Sequence, residues 1–301
     1  ALAGEFKEEK VKQVCHRLNS KMFLRPWWPD LISSVIPPWL AGYYYGSLYN
    51  NGDGIEAMFE ELFSQSSISR LEIWTGTLNR TTQKAQLFCN LGPWQSKLKV
   101  EAFDSVKLNT MPLSYCCCDQ AYIGKVSYAS AAIPILIPSV VIGENRYADG
   151  GTCFSSPLTP LQDCIVKADH QHGLHIDYLS SYDLDSSTKP STYKNLIENG
   201  TILLGELVKS FGIQDRLFGI EMLRLGQVRK EEGVCTDDVL IDINRRRRYW
   251  QESFLEIYPC QEIEISLERF DAKEIIECME KATQCMRYRL WYTSKAPSYV
   301  V

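Results

Sequence analysis

Apolar residues recur along the chain in helical and in alternating registers. Phe6, Val11, Val14 and Leu18 stand among charges at helical spacing, which predicts an amphipathic helix over residues 5–18. "NNGDGIEAMFEELFSQSS" reads as a turn and a short helix that starts near Asp53 and gathers Met58, Phe59, Leu62 and Phe63 on one face. "RLEIWTGTL" (70–78) and "KAQLFCNL" (84–91) are β-rich runs joined through "NRTTQ", the pattern of a hairpin. "MPLSYCCCDQAYIGKVSYASAAIP" is mostly small and apolar and predicts a buried helix that Pro134 ends, because proline lacks the N–H a helix needs.

Downstream, "DCIVKADHQHGLHIDYLSSYDLD" predicts a helix or turn and then a strand over 176–179. "YKNLIENGTILLGELVKSFGIQDRLFGIEMLRLG" predicts a long helical region interrupted by glycines. "DDVLIDINRRRRYWQESFLEIYP" reads as two short strands around a basic loop, and "DAKEIIECMEKATQCMRYRLWY" as a closing helix. Alternating strands and helices predict an α/β protein. Without a linker-like stretch or an internal repeat, residues 1–301 read as a single domain, with 1–165 forming its core and 166–301 completing it.

Composition narrows the classes. Of 301 residues, 45% are hydrophobic and 23% charged, which suits a globular protein, and the net charge of −5 gives no general attraction for nucleic acid. The longest apolar run, near 129–142, is shorter than a membrane span and carries two prolines. The start "ALAGEFKEEK" lacks a signal-peptide pattern. A cytoplasmic or peripheral membrane protein is therefore expected. Eleven cysteines, without paired CxxC motifs, read as reduced buried thiols. "RPWWPDLISSVIPPWL" is rich in proline and tryptophan, and the aromatic stretch 27–45 reads as core or as the wall of an opening. "DHQHGLHID" lacks cysteines at ligand spacing and predicts no metal site. Arg245 to Arg248 read as a solvated loop, or as a contact for anionic lipid head groups.

The chemistry concentrates in "ASAAIPILIPSVVIGENRYADGGTCFSSPL". A carboxylate after a short strand, backed by two glycines, requires a tight turn and a close approach of backbone. Ala129, Ser130, Ala132, Ile133, Pro134, Pro138, Tyr147, Asp149, Gly150, Gly151 and Pro157 together resemble the second signature of the patatin-like phospholipases. The rest of the chain is similar to that family more loosely.

The resemblance implies a three-layer α/β/α sandwich with a central, mostly parallel sheet. It also implies a serine acylhydrolase that cleaves lipid or phospholipid esters through a Ser–Asp dyad, without cofactor or metal. Asp149 would be the general base, with Gly150, Gly151, Pro134, Ser155 and Pro157 supporting its loop. At Ser155 the family often carries Asn.

No G-x-S-x-G and no glycine-rich oxyanion loop occur between Ala1 and Val301. In the family, "ALAG" commonly follows the serine elbow directly, so the first strand, the oxyanion loop and the nucleophile are expected upstream of Ala1. Lipid substrate and peripheral membrane contact are the expected partners, and nucleic acid is not. The alternative is a catalytically inactive member of the family that binds lipid or protein.

Overall fold

A computed structural model describes residues 12–13, 16–17, 53–64, 72–90, 107–108, 111–117, 122–134, 137–154, 156, 158, 161, 165, 173–181, 183–185, 196–223, 227–260 and 272–294. Most of the predicted 5–18 helix, the aromatic stretch 27–45, Ser155, Pro157, His170 and His172 lie outside the described residues. The chain is α/β and divides into two compact units, residues 1–165 with 266–276, and residues 166–265 with 277–301.

In the first unit residues 12–13 and 16–17, the described part of the predicted 5–18 helix, are helical. They are followed by α1 (Asp53–Ser64), β1 (Trp74–Asn79) and β2 (Lys84–Cys89). Next come β3 (Lys107–Leu108), β4 (Met111–Cys117), α2 (Ile123–Ser130), β5 (Val140–Ile142) and β6 (Asn145–Asp149). Their sheet runs β3-β4-β2-β1-β6-β5.

The predicted hairpin is present, with Trp74 opposite Cys89 and Asn79 opposite Lys84. Its turn is closed by Asn79, whose Oδ1 accepts from the N–H groups of Thr81 and Thr82 at 3.0 Å, while Gln83 takes a positive φ. Buried Asn79 also donates through Nδ2 to Gln86 Oε1, so its amide is shared between turn and strand.

The expectation of a mostly parallel sheet is not met among these strands. Only β2–β4 is parallel, and the four other pairings are antiparallel. Connection length is one physical reason. The four-residue β1–β2 turn and the Gly143-Glu144 link between β5 and β6 permit only antiparallel neighbours. Within the predicted helix, Met111–Cys117 is instead strand β4, since a short run of small and apolar residues fits either period.

Helices α1 and α2 meet closely. A Cβ on Gly124 would fall 2.7 to 2.8 Å from the backbone of Phe59 and Glu60, so only glycine permits this approach. Lys125 pairs with Glu56 at 2.7 Å across the same contact. Ile55, Met58, Ile123, Val126, Tyr128 and Ala129 then form one core with Phe88, Val140 and Tyr147 of the sheet.

The second unit holds β7 (Leu174–Leu179), α3 (Leu196–Met222), β8 (Val228–Cys235) and α4 (Asp237–Arg246). A 3-10 turn (Arg247–Tyr249) leads to β9 (Trp250–Pro259). Helix α5 (Ala272–Gln284) begins in the first unit and ends in the second, and β10 (Met286–Ser294) follows. The sheet order is β7-β9-β10-β8, with β7–β9 parallel and the other pairs antiparallel. The expected glycine interruptions do not break α3. Gly219 instead lets the helix approach the Phe254 ring, which a Cβ there would overlap. The strand expected before the arginines is helix α4, with Thr236 as its N-cap, Asp237 and Asp238 in the first turn and Arg245 and Arg246 in the last, an order that complements the helix dipole. Cys260 and Cys285, expected as thiols, are joined in a disulfide at adjoining ends of β9 and β10. Their separation of 25 positions hid the pairing from the sequence.

The two faces of this sheet differ in chemistry. Towards α4, Leu255 and Leu290 pack with Ile243 and Trp250. Towards α3, Glu256 is fully buried between Arg216 and Arg289, at 3.3 and 3.4 Å. Asp185 binds both arginines, Asp183 binds Arg289, and the Arg289 guanidinium lies 4.2 Å from the centre of the Tyr258 ring. Burial raises the Glu256 carboxyl while the two arginines pull it down. Glu256→Ala removes the anion between two guanidinium groups and is expected to cost about 3 to 5 kcal/mol, read from urea unfolding.

Candidate active site

Asp149 is the last residue of β6, and the sequence sets it there by simple means. Tyr147 and Ala148 are buried, Tyr147 packing edge-on against Phe88 at 5.3 Å, so the strand is anchored just before the carboxylate. Beyond Asp149 the chain turns at once into a 3-10 turn (Gly150–Thr152). Asp149 caps this turn, its Oδ1 accepting the Gly151 N–H at 2.7 Å, while Thr152 Oγ1 donates back to the Asp149 carbonyl at 2.8 Å. Cys153 and Phe154 both donate their N–H groups to the Gly150 carbonyl.

Why glycine is needed at 150 follows from β1. Thr77 lies opposite Asp149, and a Cβ on Gly150 would overlap the Gly76 carbonyl oxygen. The same carbonyl accepts the Ser130 hydroxyl at 2.7 Å. A Cβ on Gly76 would in turn overlap the Phe154 ring. Ser130, Gly76, Gly150 and Phe154 thus fix one another, and Asp149 rides on that seam. The "ASAAIP" segment is tied in a second time, since the Asp149 N–H donates to the Ala132 carbonyl at 2.9 Å. Pro134 stands just after this carbonyl, beyond the end of α2, and is partly buried.

Of the predicted site residues, Asp149, Gly150, Gly151 and Pro134 therefore fall together in one assembly. Sequence reasoning grouped Ser130 with the motif without giving it a partner, and it did not single out Gly76 or Phe154. Gly76 sits inside a predicted strand, where an isolated glycine signals close approach of another backbone.

Asp149 is a partly buried carboxylate. Burial raises its pKa above the ordinary value, and the Gly151 N–H opposes this by favouring the anion. Among the described residues no cation pairs with it, and only Oδ1 is held by a hydrogen bond. Cys153, partly buried nearby, has its thiol pushed up by burial and further by the charge of Asp149, although its contact with Thr152 Oγ1 at 3.8 Å works the other way. It is consequently held as a neutral thiol rather than a thiolate nucleophile.

Of the histidine tract, His175 is among the described residues. His175 Nδ1 is 2.8 Å from Ser253 Oγ across β7 and β9, and Ser253 is buried in the sheet. Among the described residues no group of His, Cys, Asp and Glu is placed to hold a metal ion, and no helix is long and apolar enough to cross a membrane.

Two stability measurements check this geometry. Gly150→Ala forces the Asp149 turn away from β1 and is expected to cost about 1 to 3 kcal/mol in urea unfolding. Asp149→Asn keeps an oxygen for the Gly151 N–H but removes the desolvated charge, so it is expected to raise Tm at neutral pH. Because the folded-state pKa is raised, the native protein loses stability as pH rises from the unfolded value through the raised one. The advantage of Asp149→Asn is therefore expected to shrink as pH falls through that window.

The chain matches no protein-family model, no curated protein and no solved structure.

Proposed function

We propose that the protein is a patatin-like serine acylhydrolase acting on phospholipid or neutral glyceride esters, with Asp149 as its general base. The observation that carries this reading is the state of that carboxylate. One oxygen is pinned by the Gly151 N–H, and among the described residues the other takes no hydrogen bond and no cation opposes the rise in basicity that burial causes. A carboxylate kept in this condition at a strand end is suited to take a proton, and the surrounding "ASAAIP" and "DGG" residues are those of the patatin-like signature.

In this reading the partner serine sits in a G-x-S-x-G elbow outside these 301 residues, within a three-layer sandwich that the elbow strand completes. Asp149 Oδ2 takes the serine proton as the oxygen attacks the ester carbonyl carbon, and the carbonyl electron pair moves onto its oxygen. Collapse of that intermediate expels the alcohol or lysolipid, which leaves with the proton from Asp149. Water then attacks the acyl-enzyme and gives its proton to Asp149, which returns it to the departing serine oxygen as the fatty acid is released. No cofactor enters these steps.

A second reading is favoured by one fact, the lack of any G-x-S-x-G between Ala1 and Val301. It makes the protein an inactive relative that binds lipid or protein, and it requires that the codons upstream of Ala1 encode no such elbow.

Labelling with a fluorophosphonate probe separates the two. The 301-residue chain is expected to stay unlabelled, and a product translated with the upstream codons to be labelled. In that product Asp149→Asn is expected to lower ester hydrolysis by at least about 10³-fold. Labelling of the 301-residue chain itself would contradict a serine outside it, and an unlabelled longer product would leave the binding reading standing.

A further inference from the structure

Strand β8 is an outer strand of its sheet, and among the described residues only β10 pairs with it. Proteins usually blunt such an edge by keeping it short or by bulging it. β8 instead runs for eight residues in unbroken register with β10, from Val228 opposite Thr293 to Cys235 opposite Met286. Residues 228–232 and Val234 are exposed, the two valines by 41% and 58%, so side chains on both faces of the strand stand in water. An edge this long and even is a template for a further strand. Charges on an edge can repel such a strand, and whether these do depends on their order.

The order fits the strand to itself. Two copies of one strand can join antiparallel about a two-fold axis normal to the sheet. Residues that then face each other share a face and differ by an even number of positions, because side chains alternate along a strand. With the axis at Glu231, Lys230 faces the second copy's Glu232 and Val228 faces the second copy's Val234, and symmetry makes each pair twice. Every facing pair on this side is complementary. On the other side Arg229 faces Gly233 and stands diagonal to Glu231, within reach of a long side chain. The two Glu231 carboxylates facing each other are the one unfavourable pair. Each keeps the Tyr292 hydroxyl, which donates to it at 3.0 Å, and gains an Arg229 from the second copy. Neighbouring axes do worse: at Lys230 they set Lys230 against itself and Val228 against Glu232, and at Glu232 they set Lys230 against Val234.

These charges have partners within the chain, and the pairing keeps them. Lys230 pairs with Glu232 and lies 5.6 Å from the centre of the Trp291 ring, while Glu232 also lies 3.7 Å from Arg289 Nε. Arg229 stands against the Tyr292 hydroxyl across β10. A second copy turns the exposed Lys230–Glu232 pair into a ring of two lysines and two glutamates in which signs alternate, so no charge has to leave the partner it holds.

We propose that β8 joins a second copy of this chain edge to edge, antiparallel and centred on Glu231, so that the two four-stranded sheets become one continuous sheet. The self-complementary order of charges and valines names the occupant. Contact through a single strand is small beside an obligate interface, so the dimer is weak and concentration-dependent. None of this depends on the reading of Asp149.

Sedimentation velocity of the 301-residue chain at rising concentration is expected to show a monomer–dimer equilibrium. K230E and E232K each replace both Lys–Glu pairs by like charges and are expected to weaken the dimer about tenfold or more. Mixed in equal amounts, the two variants again set opposite charges across the edge and are expected to pair with each other, as the double variant K230E/E232K is with itself. Recovery in the mixture separates loss of pairing from loss of folding. Val234→Ser is expected to weaken the dimer several-fold by removing both valine contacts. A chain that stays monomeric up to about 0.5 mM would overturn the proposal. So would single reversals that dimerise as well as the unaltered chain, or a mixture that pairs no better than either variant alone, which would leave the edge to a strand from a different protein.

Discussion

The contact on which the candidate site depends is the approach of the Asp149 turn to β1 at Gly76. Two glycines meet there, and each excludes a side chain that would occupy the other's surroundings: a Cβ on Gly150 would overlap the Gly76 carbonyl, and a Cβ on Gly76 the Phe154 ring. Because backbone meets backbone, Asp149 is placed to within small displacements, and the Ser130 hydroxyl holds the same carbonyl from the α2 side. Preorganisation of this kind lets a carboxylate keep one oxygen for its own loop and one for chemistry. The β6–β1 pairing, the core around Tyr147 and the close crossing of α1 and α2 all feed into it, since each fixes one side of the seam.

The second unit solves its packing in another way. Its sheet has an apolar face towards α4 and a charged one towards α3, where Arg216 and Arg289 enclose Glu256. An apolar replacement of similar volume would pack at least as well, because desolvating these charges offsets much of their attraction. What the ionic cluster adds is direction. It joins α3, β9, β10 and the segment with Asp183 and Asp185 through geometry that a shifted register would break.

Legibility in the sequence followed locality. The β1–β2 hairpin was readable because its turn chemistry lies within a few residues, and Asn79 does the closing. The Asp149 turn was readable for the same reason, with cap, glycines and preceding strand contiguous. β4, α4 and β10 were misread where short apolar runs fit helix and strand alike. "LIDIN" alternates like a strand, yet Thr236 with Asp237 and Asp238 is a helix start, and that capping signal was the better guide. "MRYRLWY" reads as the end of the preceding helix, although its aromatic and alternating positions are those of β10. Long-range features left no local trace: the Cys260–Cys285 disulfide, the Ser130 bond to Gly76 and the ion pairs of Glu256 join residues from 25 to 54 positions apart.

Glu256 and Asp149 are both desolvated carboxylates, and the contrast between them bears on function. Glu256 is wholly buried, and two arginines balance it, so its charge serves structure and is enclosed on the way. Asp149 is buried less, but no arginine or lysine among the described residues answers it, and a single backbone N–H is its compensation. A protein that supplies guanidinium groups to one acid is capable of supplying them to another. A cation at Asp149 would stabilise the fold and, by lowering the carboxyl's pKa, would weaken it as a base. Leaving it unpaired retains an energetic cost that packing alone does not call for. That cost is intelligible as the condition of a proton acceptor, and it is the reason the reading of Asp149 as a base rests on its surroundings as well as on its motif.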